Sequence, residues 1–82
     1  MDKERFPNKK AVEGQKADLT GANLTNANLT STNLTSANLT GADLTGADLR
    51  YADLTTAYLI DANLTRAYLT DANLTGAKGL DN

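Results

Sequence analysis

The side chains in this chain that could do chemistry are carboxylates, hydroxyls and amides, set at a fixed spacing. Asp18, Asp43, Asp48, Asp53, Asp61 and Asp71 offer oxygens for a hard cation or a carboxyl pair for acid/base work. Both uses require several oxygens aimed at one point, so placement decides. Ser31 and Ser36 have nucleophilic hydroxyls, but the chain contains no His and no Cys. That removes the commonest general base, the commonest metal ligand and every thiolate. Asn23, Asn28, Asn33, Asn38, Asn63 and Asn73 each open an Asn-x-Thr triplet, the form of a glycan acceptor in secreted eukaryotic chains. Six acceptors at this density would crowd their glycans together, so the triplets read as a by-product of a repeat. No catalytic, cofactor-binding or metal-ligating residue is expected, and the chain is read as a non-enzyme.

The totals narrow the field further. A chain of 82 residues with a net charge of −2 holds one small domain and lacks the basic excess of nucleic-acid binders. No apolar run approaches the ~20 residues of a membrane span. The charged start, Met1 to Arg5, leads into no apolar stretch of a secretory leader. The expected location by default is the cytoplasm, with no nucleic acid and no membrane among the partners.

What must position these side chains is a five-residue unit. Its fixed point is leucine: Leu19, Leu24, Leu29, Leu34, Leu39, Leu44, Leu49, Leu54, Leu59, Leu64, Leu69 and Leu74 follow one another without a break. Two places before each Leu stands Ala, with Thr32 the exception. The residue before Leu is Asp or Asn except at Tyr58 and Tyr68, and the residue after it is Thr except at Arg50 and Ile60. On an α-helix each Leu would sit about 140° from the last, so no apolar stripe forms. On a flat strand successive Leu would face opposite sides. The pattern closes if each five residues make one short side and a corner, so that every Leu and Ala faces a common axis. All twelve Leu are then expected in the structural core. Were the sides four in number, they would close a coil of twenty residues, and coils would stack at strand spacing, about 4.8 Å.

The unit A-(D/N)-L-T-x, repeated twelve times from Ala17 to Gly76, resembles the pentapeptide-repeat family over 60 of the 82 residues. The resemblance implies an all-β fold, a right-handed quadrilateral β-helix (solenoid) of about three coils with a short N-terminal capping helix. The division expected is 1–16 as cap or arm, 17–76 as repeat body and 77–82 as short cap or tail. It also raises a bacterial, notably cyanobacterial, origin and a non-catalytic role for a rigid rod that displays side chains. A second role follows from family members that imitate B-DNA toward type II topoisomerases. The body's six Asp against two Arg give −4 over residues 17–76, which suits such an acidic mimic.

The four-sided arrangement makes specific expectations. The residues before Leu stack as Asp18-Asn38-Tyr58, Asn23-Asp43-Asn63, Asn28-Asp48-Tyr68 and Asn33-Asp53-Asn73, so no Asp lies over another. Type II corners, whose third residue needs φ > 0, are expected at Gly21, Asn26, Gly41, Gly46 and Gly76, and a different turn at Tyr51, Thr56 and Arg66. Two unbroken Thr columns, Thr25-Thr45-Thr65 and Thr35-Thr55-Thr75, are too narrow for an ice-binding plane. At the N-terminus, Asn8 suits an N-cap and Gly14 a C′ glycine for a helix over Lys9 to Glu13, with Phe6, Ala11 and Val12 available to cover the first coil. The thin C-terminal tail leaves the last coil partly bare, a route to a homodimer. Arg50, Tyr51, Tyr58, Ile60, Asp61, Arg66, Tyr68 and Asp71 break the repeat, and with Asp48 they form the candidate patch for a protein partner; Asp48, Arg50, Tyr51 and Tyr68 share one side.

Overall fold

The computed structural model describes residues 1–80. Its smallest unit is a four-residue turn, Leu-Thr-x-Ala. The Ala N–H donates to the Leu carbonyl, as from Ala22 to Leu19 at 3.0 Å and from Ala57 to Leu54 at 2.9 Å. The third residue has positive φ at every corner from Gly21 to Gly76, the signature of a type II turn. The different turn expected at Tyr51, Thr56 and Arg66 is therefore wrong: their φ values are 63°, 58° and 60°, and Ser31, Ser36, Asp61 and Asp71 behave alike. Stacking explains the uniformity. Each corner N–H in the first two coils also donates to the coil beyond it, as Tyr51 to the Thr70 carbonyl (3.1 Å) and Thr56 to that of Thr75 (2.8 Å). That bond fixes the corner's backbone direction whatever its side chain, so tertiary structure overrides local preference.

Between corners, a ladder joins residues twenty apart. Parallel bridges pair Asn23 with Asp43, Asn28 with Asp48, Asn33 with Asp53 and Asn38 with Tyr58; four more pair Asp43, Asp48, Asp53 and Tyr58 with Asn63, Tyr68, Asn73 and Lys78. Each side contributes a single bridging residue between turns, so the ladder consists of isolated bridges rather than long strands. Asp48 shows the pattern: its N–H donates to the Ala27 carbonyl at 2.9 Å and its carbonyl accepts from Leu29 N–H at 2.8 Å. Asp43, Asp48 and Asp53 each lie between uncharged neighbours in their columns, which avoids like-charge repulsion across the ~5 Å ladder spacing.

Leu and Ala fill the axis. Leu19, Leu24, Leu29, Leu34, Leu39, Leu44, Leu49, Leu54 and Leu59 are buried, each with 2% exposure or less. Between them lie the buried Ala22, Ala27, Ala37, Ala42, Ala47, Ala52 and Ala57. Within the stack the axis is continuous: the N–H groups of Leu24, Leu34, Leu39 and Leu49 donate to the carbonyls of Asp43, Asp53, Tyr58 and Tyr68, each at 2.8 Å. Every such Leu is thus pinned to the coil beyond it as its side chain enters the core. Thr32 takes an Ala place without harm because its hydroxyl donates to the Leu29 carbonyl at 2.7 Å, and a buried hydroxyl needs such a partner.

The expectation of twelve buried Leu is corrected at the last coil. Leu64, Leu69 and Leu74 are only partly buried, since nothing among the described residues lies beyond their coil. The ladder nevertheless continues to Lys78, which pairs with Tyr58. Gly79 follows where Leu would stand and lies so close over Ile60 that a Cβ would meet its backbone nitrogen at 2.6 Å.

The other end is closed. Helix α1 (Lys9–Gly14) starts at Asn8, whose side chain accepts from Ala11 N–H at 3.0 Å. It ends one residue later than expected, with Gln15 as C-cap; Gly14 is its last residue and not a left-handed C′ glycine. The chain passes straight into a 3-10 turn, Lys16–Asp18, so no left-handed stop is needed. Phe6 and Val12 are buried against the first Leu layer, whereas Ala11 is half-buried.

Candidate interaction surface

The outward positions are set by the same turn. In most repeats the residue before Leu holds the Thr two places on: the Asn23 Oδ1 accepts from Thr25 N–H (3.2 Å) and hydroxyl (2.8 Å). Asp43 and Asp53 do likewise for Thr45 and Thr55. These are Asx-turns, in which a short polar side chain caps the backbone two residues on. The Asn-x-Thr triplets are therefore structural braces. Their spacing carried that signal, which the acceptor-site reading passed over. Bonds from the Thr45 hydroxyl and N–H hold the Asp43 carboxyl below its ordinary pKa of 3.8, and Thr55 does the same for Asp53.

Asp43, Asp48 and Asp53 fall on successive sides of the coil, so their oxygens diverge. Among the described residues no three Asp or Glu gather as a cation site. The Thr25-Thr45-Thr65 and Thr35-Thr55-Thr75 columns stand on opposite sides, with their hydroxyls committed to Asx oxygens.

The repeat-breaking residues divide between faces. One side carries Asp48, Arg50 and Tyr68, with Tyr51 at its corner. Arg50 replaces Thr as the partner of Asp48, through Nε at 2.8 Å and Nη2 at 2.7 Å. Its guanidinium lies 6.0 Å from the Tyr68 ring centroid, within cation–π range. The hydrogen bond from Arg50 lowers the Asp48 pKa, and the same bond raises that of Arg50. Tyr51 and Tyr68 are 63% and 59% exposed, so this face offers two aromatic rings around a pre-set ion pair. The opposite side carries Tyr58 and Ile60, with Lys78 5.2 Å from the Tyr58 centroid. Arg66 and Asp61 sit at other corners. Asp71 takes the corner stacked beyond Tyr51, whose N–H donates to the Thr70 carbonyl. The nine residues thus form no single patch; the role of Lys78 was missed because it lies beyond the last full repeat, although Ala77 before it keeps the phase.

A parallel ladder closing every twenty residues around stacked Leu defines a β-helix-type repeat protein. The pentapeptide-repeat profile, in eight copies, matches residues 15–50 and 47–78. The chain belongs to the pentapeptide-repeat family, whose members are generally non-catalytic repeat proteins. No curated protein sequence matches it. It is similar to the crystal structure of a pentapeptide repeat protein (Rfr23) from the cyanobacterium Cyanothece 51142, with 35% identity and a TM-score of 0.61 over 71% of this chain and 44% of that one. A pentapeptide repeat protein of the Arabidopsis thaliana thylakoid lumen matches with 38% identity and a TM-score of 0.43 over 79% of this chain and 57% of that one. HetL of the cyanobacterium Nostoc, a protein involved in heterocyst differentiation regulation, matches with 37% identity and a TM-score of 0.39 over 76% and 38%. The chain thus spans less than two thirds of each of these proteins.

Proposed function

We propose that the protein is a non-catalytic interaction module: a right-handed, quadrilateral solenoid of about three coils that holds outward side chains in fixed positions for a protein partner. The observation that carries this reading is the face of Asp48, Arg50, Tyr51 and Tyr68. There two exposed rings flank an ion pair oriented by two hydrogen bonds. Tyr and Arg are the residue types that most often anchor interfaces, and a rigid backbone lowers the ordering cost of binding. The double variant Tyr51→Ala/Tyr68→Ala tests it. Any partner captured by the wild-type protein should be lost, while the thermal melt stays within a few degrees. Retention of the partner would remove this face from the reading.

The half-buried Leu64, Leu69 and Leu74 support a homodimer through the C-terminal coil. Sedimentation should then show concentration-dependent association that Leu69→Asp abolishes. The acidic DNA-mimic role rests on the −4 of residues 17–76. A gyrase supercoiling assay separates it, because the interaction-module reading expects no inhibition at micromolar protein.

A further inference from the structure

Resting on the homodimer reading, we propose that the second copy covers the last coil in one defined register: side against side, antiparallel, about a two-fold axis at the Asp71 corner. Within the stack, every side turns a donor and an acceptor toward the following coil. Leu54 N–H donates to the Asn73 carbonyl at 2.8 Å, and the Ala52 carbonyl accepts from Asn73 N–H at 2.9 Å. In the last coil the equivalent groups have no partner among the described residues. They are the N–H of Leu64, Leu69 and Leu74 and the carbonyls of Ala62, Ala67 and Ala72. The same three Leu side chains are only partly buried.

Unpaired backbone groups along an apolar edge are a template for more chain, and the ends of the molecule decide which chain. The first coil of another copy is closed: Phe6 and Val12 are buried against it, and the arm engages Asn23, Asn33 and Asn38. The last coil of another copy is open. Two identical ends brought together make an isologous, two-fold contact, in which one coil is turned over and the facing sides run antiparallel. Antiparallel pairing needs a donor on one flank of the facing residue and an acceptor on the other. Leu N–H and Ala C=O are those two groups. Each Leu then lies against an Ala of the other copy, large facing small, which fills the layer.

Only one rotation about the stack closes every side. A coil climbs ~4.8 Å over its four sides, so each side stands ~1.2 Å beyond the one before it. The Asn63 side is the most recessed, and the Lys78 side, which continues the ladder from Tyr58, stands furthest out. Lys78 of one copy therefore meets Asn63 of the other, and Tyr68 meets Asn73. Every other rotation leaves at least one pair of sides ~4.8 Å too far apart. The corner between the Tyr68 and Asn73 sides falls on the two-fold axis, and it carries the exposed Asp71. Two Asp71 carboxylates meet there, and like charges directly opposed weaken a pairing. Asp71 thus sets the strength of the dimer.

The whole chain serves as the test, because it contains no Cys. Tyr68→Cys and Asn73→Cys, mixed and oxidised, should form a disulfide-linked dimer, since facing residues of an antiparallel pair stand ~4.5–5.5 Å apart, within disulfide reach. Either variant alone should stay uncross-linked. Asp71→Asn should tighten the dimer about twofold to fivefold in sedimentation, and Asn26 at φ 59° shows that a corner accepts Asn. If a Cys variant does not fold, Asp71→Asn still decides. No association of the wild-type protein would remove the homodimer reading and this register with it. Association without the mixed cross-link, cross-linking of a single variant, or an unchanged dimer in Asp71→Asn would overturn the register and leave the homodimer standing.

Discussion

At the scale of single residues, the corners carry strain that the stacking imposes. A side-chain-bearing residue in the left-handed region costs about 1–2 kcal/mol, and Tyr51 occupies it at φ 63° with its side chain largely in solvent. Glycine removes that strain and returns about 0.5–1 kcal/mol as unfolded-chain entropy. Tyr51→Gly should therefore stabilise the fold by about 0.5–1 kcal/mol, read as a higher denaturant midpoint at unchanged slope. A lower midpoint would show that the Tyr51 ring holds the coil. The Asx braces give a second prediction at this scale. Folding lowers the pKa of Asp43, Asp48 and Asp53 below the ordinary 3.8, through bonds from Thr45, Arg50 and Thr55 respectively. The unfolded chain then binds more protons as pH falls below about 3.8, so this stability is present above that value and is lost on acidification. Triple replacement by Asn should flatten the pH dependence of the melting temperature in that window. An unchanged acid slope would assign it to other carboxylates.

At the scale of elements, each five-residue side lacks a hydrophobic face of its own and depends on the layers beside it. The two ends are treated differently. The arm seals the first Leu layer with Phe6 and Val12, while Leu64, Leu69 and Leu74 remain half-covered. Leu44→Ala, in the middle of the stack, should cost about 2–5 kcal/mol, and Leu74→Ala less than half as much, because less of Leu74 leaves water on folding. Equal losses, measured by denaturant melts, would mean that the last layer is covered in solution. Much of this organisation was legible beforehand. The inward Leu and Ala and the Asn8 cap follow from spacing and side-chain chemistry, whereas the four-sided, twenty-residue register came from the resemblance to the pentapeptide-repeat family. Spacing treats all twelve Leu alike, but the short tail after Gly76 already marked the last coil as partly bare, where Leu64, Leu69 and Leu74 are half-covered. The difference comes from what lies beyond each layer. The corners at Tyr51, Thr56 and Arg66 were misjudged because local φ preference was weighed without the stacking bond that overrules it. The Asx-turns went unseen because Asn-x-Thr was weighed only as an acceptor motif. The split of the aromatic patch was implicit in the register: Tyr58 and Tyr68 are two repeats apart, and so on opposite sides of a four-repeat coil.

At the scale of the molecule, the solenoid is a one-dimensional stack in which each coil touches only its neighbours, so what it presents to its surroundings is its outward residues and its two ends. The Asp48–Arg50–Tyr68 face and the bare last layer are separate surfaces on one axis. Both positions depend on residues twenty apart being ladder neighbours. Amide-to-amide and amide-to-Hα contacts measured by NMR test that pairing directly. Contacts should join Asn28 with Asp48, Asp48 with Tyr68, and Tyr58 with Lys78. Contacts at another fixed offset, such as fifteen or twenty-five residues, or helical contacts through the repeat body, would contradict the account.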